Sequence, residues 1–238
     1  MERSVLVTGG ARGIGAAICA RLRDDGFRVV AIDRIEPEHD AVHRFHRVDV
    51  ADLAALDEAL RDIVSAGAPL ALVNNVGIVR PAPIETVSAD DLDAVMAVNV
   101  RTAMVCTKAL LPAMKAARHG RIVSISSRVA LGKELRTAYA ASKAALHGIT
   151  KTWALELARH GITANAVAPG TIATAEFDRN NPPDDPRTKA IVSAIPAGRV
   201  GTPEDIAQAV SFFLDERSSF VNGQVLYVCG GLTVGLAS

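Results

Sequence analysis

The chain has 238 residues, of which 49% are hydrophobic, and its 26 Lys and Arg residues balance 26 Asp and Glu residues. This length predicts one α/β domain, and a net charge of zero argues against a dedicated nucleic-acid or membrane-surface binder, which would carry a basic surplus. No apolar run reaches the roughly 18 residues of a transmembrane helix, and the strand pattern begins too early for a signal peptide, so we expect no membrane partner.

Short apolar, β-branched runs alternate with longer helical patterns along the chain. Such short runs are typical of parallel strands that are buried on both faces of a sheet. We predict strands at residues 5–7, 29–32, 70–73, 122–125, 163–167 and 225–228, with a weaker one at 45–48.

Helical periodicity fills the intervals between these strands. The first helix has an apolar face formed by Ile14, Ala17, Ile18 and Leu22, and it ends at Gly26. Further helices are predicted at residues 53–65, 90–115, 137–160 and 203–214.

Strand–helix alternation of this length requires right-handed crossovers. The pattern therefore predicts a single-domain, doubly wound Rossmann fold over residues 1–238, with a mostly parallel seven-stranded sheet. A polar, proline-rich break at residues 177–189 predicts a lid-like substrate loop at about residues 175–200.

A glycine-rich turn, Thr8-Gly-Gly-Ala-Arg-Gly-Ile-Gly, directly follows the first strand and opens the first helix. Gly9 permits a tight turn, Gly13 lets the backbone approach a pyrophosphate, and Gly15 lets the helix pack closely on the strand. The N-terminus of the helix offers unpaired N–H groups and a positive dipole end to phosphates. A plain tight turn is the alternative, but the acidic Asp33 at the end of the second strand favours a dinucleotide site.

The spacing Gly-x-x-x-Gly-x-Gly resembles the classical branch of the short-chain dehydrogenase/reductase family, and further matches cover nearly the whole chain. Asp49-Val50 resembles the family's adenine-contacting pair, and Asn74-Asn75-Val76-Gly77 resembles its Asn-Asn-Ala-Gly strand end. Asn99 lies in the expected Val-Asn-Val context. Pro169-Gly170 with Thr174 is similar to the segment that holds the nicotinamide carboxamide. The family usually has Asp before the final glycine pair, where this chain has Cys229.

The resemblance implies an NAD(P)-dependent oxidoreductase that transfers a hydride between a nicotinamide cofactor and a secondary alcohol or ketone. The expected cofactor-binding residues are Gly9, Arg12, Gly13, Ile14, Gly15, Asp33, Asp49, Val50, Asn75, Val76, Gly77, Tyr139, Lys143, Pro169, Gly170, Ile172 and Thr174.

The sequence Tyr139-Ala-Ala-Ser-Lys143 places a phenol and an ammonium on one face of a helix. A tyrosine ordinarily titrates near pH 10, and a nearby cation stabilises the phenolate, which makes the phenol a usable base. By resemblance, Tyr139 is the acid/base, Lys143 also binds the nicotinamide ribose, and Asn99 holds the water through which the proton reaches solvent.

The resemblance also implies a serine that polarises the substrate carbonyl, and two serines compete for this role. The register of the strand that precedes them selects Ser127, whereas the family's usual spacing from Tyr139 selects Ser126. We favour Ser127, because a loop absorbs a one-residue deletion, whereas a slip in a strand reverses every side chain.

The choice of nicotinamide cofactor depends on Asp33, whose carboxylate can accept hydrogen bonds from the adenosine ribose hydroxyls and would repel a 2′-phosphate. This favours NAD. Arg12 and Arg34 argue for NADP, because family members that use NADP often carry basic residues at such places.

Three histidines, His39, His43 and His46, lie in the short connection after the second strand. No carboxylate or cysteine is positioned to complete a metal site with them, so we interpret the segment as a solvated loop and expect no metal. The connection to Asp49 is too short for a full helix plus strand, and His46 is expected to begin the strand.

Three further cations, Arg128, Lys133 and Arg136, lie between the serines and Tyr139. We interpret them first as solvated loop charges that the nearby Glu134 partly offsets. The alternative is that they receive a substrate carboxylate or a phosphopantetheine arm.

The remaining expectations concern assembly and setting. Long helices rich in alanine and leucine at residues 90–115 and 137–160 imply, by resemblance, a homotetramer. The widely spaced Cys19, Cys106 and Cys229 indicate free thiols in a reducing cytoplasm.

Three rival functions share these motifs: a 3-oxoacyl-[acyl-carrier-protein] reductase that uses NADPH, an NAD-dependent dihydrodiol dehydrogenase, and a non-catalytic nucleotide-sensing regulator. Such regulators typically lose the tyrosine or the lysine of the pair, and here both remain.

Overall fold

A computed structural model describes residues 3–234 of the protein, apart from the side chain of Glu176. The ends of the predicted domain, 1–238, lie outside the described residues. Seven strands form one sheet in the order β3-β2-β1-β4-β5-β6-β7, and every pairing between them is parallel. The strands are β1 (Ser4–Thr8), β2 (Arg28–Asp33), β3 (Arg44–Arg47), β4 (Ala71–Asn74), β5 (Gly120–Ile125), β6 (Ile162–Pro169) and β7 (Val225–Val228).

The helices lie on both faces of the sheet. Their bounds are α1 (Gly13–Asp24), α2 (Leu53–Ser65), α3 (Ala89–Met96), α4 (Thr102–Ala117), α5 (Thr137–Leu157), α6 (Ala175–Asn180), α7 (Pro186–Ser193) and α8 (Pro203–Leu214). The predicted helices at 53–65 and 203–214 are confirmed to the residue. The connection between β2 and β3 contains no helix, as expected.

The predicted continuous helix at residues 90–115 is wrong in one respect. A turn of π-helix, Ala97–Arg101, separates α3 from α4. Apolar periodicity continues across such a turn, so the sequence pattern does not reveal it.

Alternating side chains of the strands build two core layers, as expected for a sheet covered on both faces. Val5, Val7 and Val73 pack with α1 and α8 on one face, whereas Leu6 and Leu72 pack with α2 and α4 on the other. The predicted single-domain, doubly wound fold is confirmed.

One helical stretch of the described residues, Ala89–Ala117, is long and apolar enough to cross a membrane by length and composition alone. Half of its most apolar window is buried inside the protein, where Leu110 and Met114 belong to the core. A core helix passes the same test, so this is weak evidence for a membrane span.

The chain changes its direction across the sheet between β1 and β4. Strands β2 and β3 lie beyond β1 on one side, and strands β5, β6 and β7 lie beyond β4 on the other side. In open parallel sheets, ligands bind in the crevice beyond the carboxyl ends of the strands at such a point. The glycine-rich turn, Asp33, the Asn74–Gly77 segment and the two serines all follow the carboxyl ends of strands, so the fold gathers them at one edge.

Candidate active site

The glycine-rich turn has the geometry that its glycines predict. Gly9 and Gly13 have φ values of +70° and +55°, in the left-handed region that glycine tolerates best. A Cβ on Gly15 would lie 1.9 Å from the carbonyl oxygen of Gly9, so helix α1 can pack on this turn only with glycine there. The turn therefore brings its backbone, rather than side chains, to the crevice.

The N-terminus of α1 has no capping side chain and no acid in its first turn. In contrast, α2, α3 and α8 each have a side chain that accepts a hydrogen bond from a first-turn N–H group. Uncapped N–H groups at the positive end of a helix dipole form an anion site. The residues present therefore fit the pyrophosphate of a dinucleotide.

Asp33 fixes its carboxylate against the glycine-rich turn. Its Oδ2 atom accepts a hydrogen bond from the Ala11 N–H at 3.0 Å, and its Oδ1 atom accepts one from the Arg34 N–H at 2.7 Å. The negative charge at the end of β2 is thus held next to the glycine-rich turn. Asp49 closes its own turn by accepting from the Ala51 N–H at 3.0 Å, and Val50 is buried beside it.

Asn75 joins the ends of β1 and β4. Its side-chain amide donates to the carbonyl oxygens of Thr8 at 3.0 Å and Gly9 at 2.9 Å. The Thr8 hydroxyl in turn accepts hydrogen bonds from the N–H groups of Asn75 and Val76. These contacts hold Asn75 and Val76 beside the glycine-rich turn.

Asn99 lies in the π turn, and its side chain is engaged by protein groups. Its Oδ1 atom accepts from the Ile78 N–H at 2.8 Å, and its Nδ2 atom donates to the Ile78 carbonyl and to the Ser142 hydroxyl. A Cβ on Gly77 would lie 3.3 Å from Asn99 Oδ1 and 3.4 Å from Lys143 Nζ. The side-chain ends of Asn99 and Lys143 therefore lie close together beside Gly77.

Lys143 is 3% exposed, and its Nζ atom donates to the Ile125 carbonyl oxygen at the end of β5 at 2.7 Å. Burial lowers the pKa of its ammonium from 10.5 to about 8, because a charge is costly to remove from water. The Nζ atom lies 5.6 Å from the centroid of the Tyr139 ring. The structure thus places the cation and the phenol together at the edge of the sheet where the glycine-rich turn lies.

The two serines after β5 have different surroundings. The Ser126 hydroxyl lies 2.9 Å from the Lys143 carbonyl oxygen and 2.7 Å from His147 Nε2, and the residue is 2% exposed. The Ser127 hydroxyl accepts one hydrogen bond, from the Val129 N–H at 3.1 Å. No described group accepts the hydroxyl hydrogen of Ser127, which can therefore be donated to a substrate oxygen.

The segment after β6 approaches the glycine-rich turn from the other side. Thr174 caps helix α6, and its Cγ2 atom lies 3.7 Å from the position that a Cβ on Gly13 would occupy. Gly170 packs directly on the backbone of Cys229, and Ile172 is buried in a bridge with Gly201. The structure thus brings Thr174 to the glycine-rich turn, and Gly170 and Ile172 lie earlier in the same segment.

The three histidines that follow β2 do not share a contact, because two of them contact backbone groups of different residues and the third lies within β3. His39 Nε2 lies 3.0 Å from the Gly10 carbonyl oxygen, and His43 Nδ1 accepts from the Val29 N–H at 3.1 Å, whereas His46 lies within β3. Among the described residues, no group of three His, Cys, Asp or Glu side chains could hold a metal ion.

One feature of the site lies outside the sequence predictions. The Ser126 hydroxyl, directly after β5, lies 2.7 Å from His147 Nε2 on α5. The histidine one helical turn after Lys143 was a visible signal for this contact.

Comparison with known proteins identifies the family. A family model described as Enoyl-(Acyl carrier protein) reductase matches residues 9–233. The (2S)-[(R)-hydroxy(phenyl)methyl]succinyl-CoA dehydrogenase subunit BbsD of Thauera aromatica is 39% identical, over 97% of this chain and 96% of that protein. The 3-oxoacyl-[acyl-carrier-protein] reductase FabG of Thermotoga maritima is 38% identical, over 96% of this chain and 97% of that protein.

A solved structure agrees with these relatives. It is described as a candidate NAD(P)-dependent gluconate 5-dehydrogenase from Beutenbergia cavernae with NADP bound at low occupancy. It is 36% identical and has a TM-score of 0.91, over 98% of this chain and 97% of that one. The chain therefore belongs to the classical short-chain dehydrogenase/reductase family. It is an oxidoreductase that uses a nicotinamide cofactor, NAD or NADP, to exchange a hydride with an alcohol or ketone carbon.

Proposed function

We propose that Tyr139 is the acid/base of this oxidoreductase, that Lys143 is its cationic partner, and that Ser127 donates a hydrogen bond to the substrate oxygen. The observation that carries this proposal is the buried Lys143 ammonium, fixed by the Ile125 carbonyl and 5.6 Å from the Tyr139 ring centroid. With a pKa of about 8, the lysine remains mostly protonated at neutral pH and supplies the positive charge that a phenolate needs.

In the oxidative direction, the Tyr139 phenolate takes the hydroxyl proton of the substrate. Ser127 donates its hydroxyl hydrogen to the same substrate oxygen and so orients the alcohol. A bound nicotinamide supplies the acceptor for the hydride that leaves the carbinol carbon. The side-chain ends of Lys143 and Asn99 lie close together beside Gly77. We propose that the proton passes from Tyr139 to solvent along this route, with Asn99 positioning the water that carries it.

The proposal is tested by Tyr139→Phe, with Tyr227→Phe as the matched control, because these are the two tyrosines of the chain. Tyr227 lies in β7 with its ring against His147. Wild type is assayed with secondary alcohols, acyl thioesters and dihydrodiols, using both cofactors. We expect turnover to fall at least about 100-fold in Tyr139→Phe, the size of a lost acid/base group, and about twofold or less in Tyr227→Phe. Calorimetry should show that cofactor binding by Tyr139→Phe is nearly intact, within a few-fold of wild type. Tyr139→Phe turnover within about tenfold of wild type would refute the assignment.

We further propose that NAD is preferred over NADP, because the Asp33 carboxylate is held where the adenosine ribose is expected. A 2′-phosphate there would meet a fixed like charge. Arg12 and Arg34 favour NADP, and the similar protein from Beutenbergia cavernae holds NADP. Calorimetry should give NAD+ at least about tenfold tighter binding than NADP+, and Asp33→Ser should reduce this preference. Tighter NADP+ binding by wild type would overturn the role of Asp33.

A second candidate is a 3-oxoacyl-[acyl-carrier-protein] reductase, which the similarity to the Thermotoga maritima protein favours. This activity would use the same four side chains in the reductive direction. Reduction of an acetoacetyl thioester with NADPH, faster than with NADH, would favour this candidate. Faster oxidation of a dihydrodiol with NAD+ would favour a dihydrodiol dehydrogenase instead.

We also propose that the enzyme works as a homotetramer in the cytoplasm. Met104 on α4 and Leu155 on α5 are 51% and 85% exposed, and apolar side chains on these two helices are suited to pairing with a second copy. Light scattering at low micromolar concentration should give the tetramer mass, and Leu155→Glu should lower it. A monomeric wild type would contradict this assembly.

A further inference from the structure

A cavity of about 240 Å³ lies at the edge of the sheet opposite the candidate active site. Residues at or next to the first residues of β1, β2, β4 and β5 line it, so we call it the amino-edge cavity. The residues that line it include Arg3, Phe27, Leu70, Arg121, Leu214 and Glu216.

The amino-edge cavity is well separated from the candidate active site. Arg121 lies four residues before Ile125 on β5, and the Ile125 carbonyl oxygen binds Lys143. At about 3.3 Å per residue, roughly 13 Å of strand lies between these two positions. A small molecule in the cavity would therefore not touch the catalytic side chains.

Arg121 brings a buried guanidinium to this cavity. The residue is 4% exposed, and its Nη1 atom donates to the carbonyl oxygens of Gly120 at 2.8 Å and Gly161 at 3.3 Å. Its Nε atom is buried with no hydrogen-bond partner among the described residues, and none of their carboxylates forms an ion pair with Arg121. A buried charge is costly unless it is paired and hydrogen-bonded, and the burial lowers the pKa of the guanidinium. An anion in the cavity would reduce this cost.

The other charged groups at the cavity leave a positive excess. Arg3 lies with its Cζ atom 4.0 Å from the centroid of the Phe27 ring, which holds a second guanidinium at the cavity wall. Glu216 is exposed, and it is the acid among the described residues that line the cavity. His119 adds no charge at neutral pH, because burial and the neighbouring Arg121 lower the pKa of its imidazole. Two guanidinium groups therefore face one carboxylate.

Helices α4 and α8 end at this edge, and the carbonyl groups at their ends oppose the excess only in part. The His119 N–H already binds the Met114 carbonyl at 3.1 Å, and the Asp215 N–H binds the Ser211 carbonyl at 3.0 Å. The charge at a helix end is partial and weakens within the last turn, whereas the Arg121 guanidinium carries a full charge. A positive excess therefore remains.

The rest of the cavity wall is apolar. Phe27, Ala71 and Leu214 are buried there, and Leu70 is half-buried beside them. The volume is smaller than the roughly 300–1,000 Å³ of a site for a drug-sized ligand, so it suits a molecule of a few carbon atoms. A phosphate or a dicarboxylate would bring a second negative charge against Glu216, whereas a single carboxylate matches an excess of one positive charge.

We propose that the amino-edge cavity is a second ligand site, which binds a small monocarboxylate with an apolar body. The carboxylate would pair with the guanidinium groups of Arg121 and Arg3, which present paired donors to such a group. The apolar carbons would contact Phe27 and Leu214. This site is independent of the proposed function, because none of these residues belongs to the candidate active site.

Calorimetry with enzyme saturated with NAD+ tests the binding directly. The probes are straight-chain carboxylates from propanoate to octanoate, with benzoate and phenylacetate, and each acid is paired with its neutral primary amide. The best acid should bind at least about tenfold more tightly than its amide, because hydrogen bonds between charged groups are stronger than neutral ones. This ratio should fall as ionic strength rises.

Matched variants locate the bound acid. Ala117→Leu places a larger side chain on the cavity wall without changing charge, whereas the neighbouring Ala116 is exposed on the same helix and does not line the cavity. Ala117→Leu should lower the affinity of the best acid at least about tenfold, and Ala116→Leu should change it about twofold or less.

A second pair of variants tests the charge. Arg121→Met should reduce the preference for acid over amide to about twofold or less, and Arg3→Gln, at an exposed position, should reduce it even if Arg121→Met does not fold. Lys115→Gln removes an exposed cation that does not line the cavity, so it should retain the preference of wild type.

Two results would overturn the inference. One is that no acid binds more than about twofold better than its amide, or that Ala117→Leu and Ala116→Leu behave alike. The other is that the best acid loses affinity in Ser127→Ala but keeps it in Ala117→Leu, because the acid would then occupy the candidate active site. A preference for acids that Ala117→Leu and Arg3→Gln both reduce would support the inference, whatever the outcome for Tyr139→Phe.

Discussion

Replacing Lys143 with Met tests the physical basis of the site, because this lysine is expected to favour catalysis at the expense of stability. The pKa of its buried ammonium is lowered from 10.5 to about 8, which corresponds to a burial cost of about 3 kcal/mol at pH 7. Methionine removes this charge with a similar volume. It also leaves the Ile125 carbonyl without its donor, which costs about 1–3 kcal/mol. The two effects oppose each other at pH 7, so stability at one pH does not isolate the charge.

The pH dependence of the free energy of unfolding isolates the effect of the Lys143 charge. Below pH 8 the lysine is protonated in both the folded and the unfolded state, so its burial cost is fully present. Between pH 8 and 10.5 the unfolded state holds a proton that the folded state has released, so the free energy of unfolding of wild type rises with pH. Relative to Lys143→Met, wild type should gain about 2–3 kcal/mol between pH 7 and pH 10. Groups that are common to both proteins cancel in this difference.

The assay is urea unfolding at a series of pH values and one fixed protein concentration, because assembly would otherwise change the apparent stability. Lys151→Met is the control, since Lys151 is an exposed lysine on the same helix. It should give a flat difference from wild type. A flat difference for Lys143→Met, or a wild type that loses stability relative to it as pH rises, would refute the buried-charge argument. Turnover by Lys143→Met should fall at least about 100-fold at pH 7.

Two further predictions concern the serines and the glycine-rich turn. Ser127→Ala should lower kcat about 100-fold, which is the usual effect of removing a donor to a developing oxyanion. Ser126→Ala should lower kcat less than about tenfold, but it should reduce Tm because it removes the partner of His147. Steady-state kinetics and thermal melts measure both, and the opposite ranking would assign the role to Ser126. Gly15→Ala should weaken NAD+ or NADP+ binding at least about 100-fold in calorimetry, because a Cβ would lie 1.9 Å from the Gly9 carbonyl oxygen. Unchanged affinity would contradict the role of the glycine-rich turn in cofactor binding.

The fold could be predicted from the sequence because its strands are short apolar runs and its helices have clear ends. Helix α8 begins at a Thr202 cap followed by Pro203, and both features are visible in the sequence. The π turn at Ala97–Arg101 could not be predicted, since apolar side chains continue across it. That turn carries Asn99, so the element that the periodicity missed is part of the candidate site.

Contiguous motifs predicted most of the candidate site, because a glycine-rich turn or a Tyr/Lys pair carries its geometry within a few residues. The surroundings of Ser126 and Ser127 required the structure. Ser126 contacts the Lys143 carbonyl and His147 on another element, and only that contact shows its hydroxyl to be engaged.

Cys229 shows how a departure from the family pattern can be explained once the structure is known. Its thiol lies 3.3 Å from the Thr233 hydroxyl. Burial raises the pKa of this thiol, but hydrogen bonds from Thr233 and from the backbone at Gly231 and Leu232 outweigh burial and lower it. The sulfur of Cys229 can thus accept hydrogen bonds from this turn, at the place where the family usually has the carboxylate of Asp. Because Gly170 packs on the Cys229 backbone, the turn after β7 supports the segment proposed to hold the nicotinamide. The substitution therefore keeps a hydrogen-bond acceptor at the start of this turn.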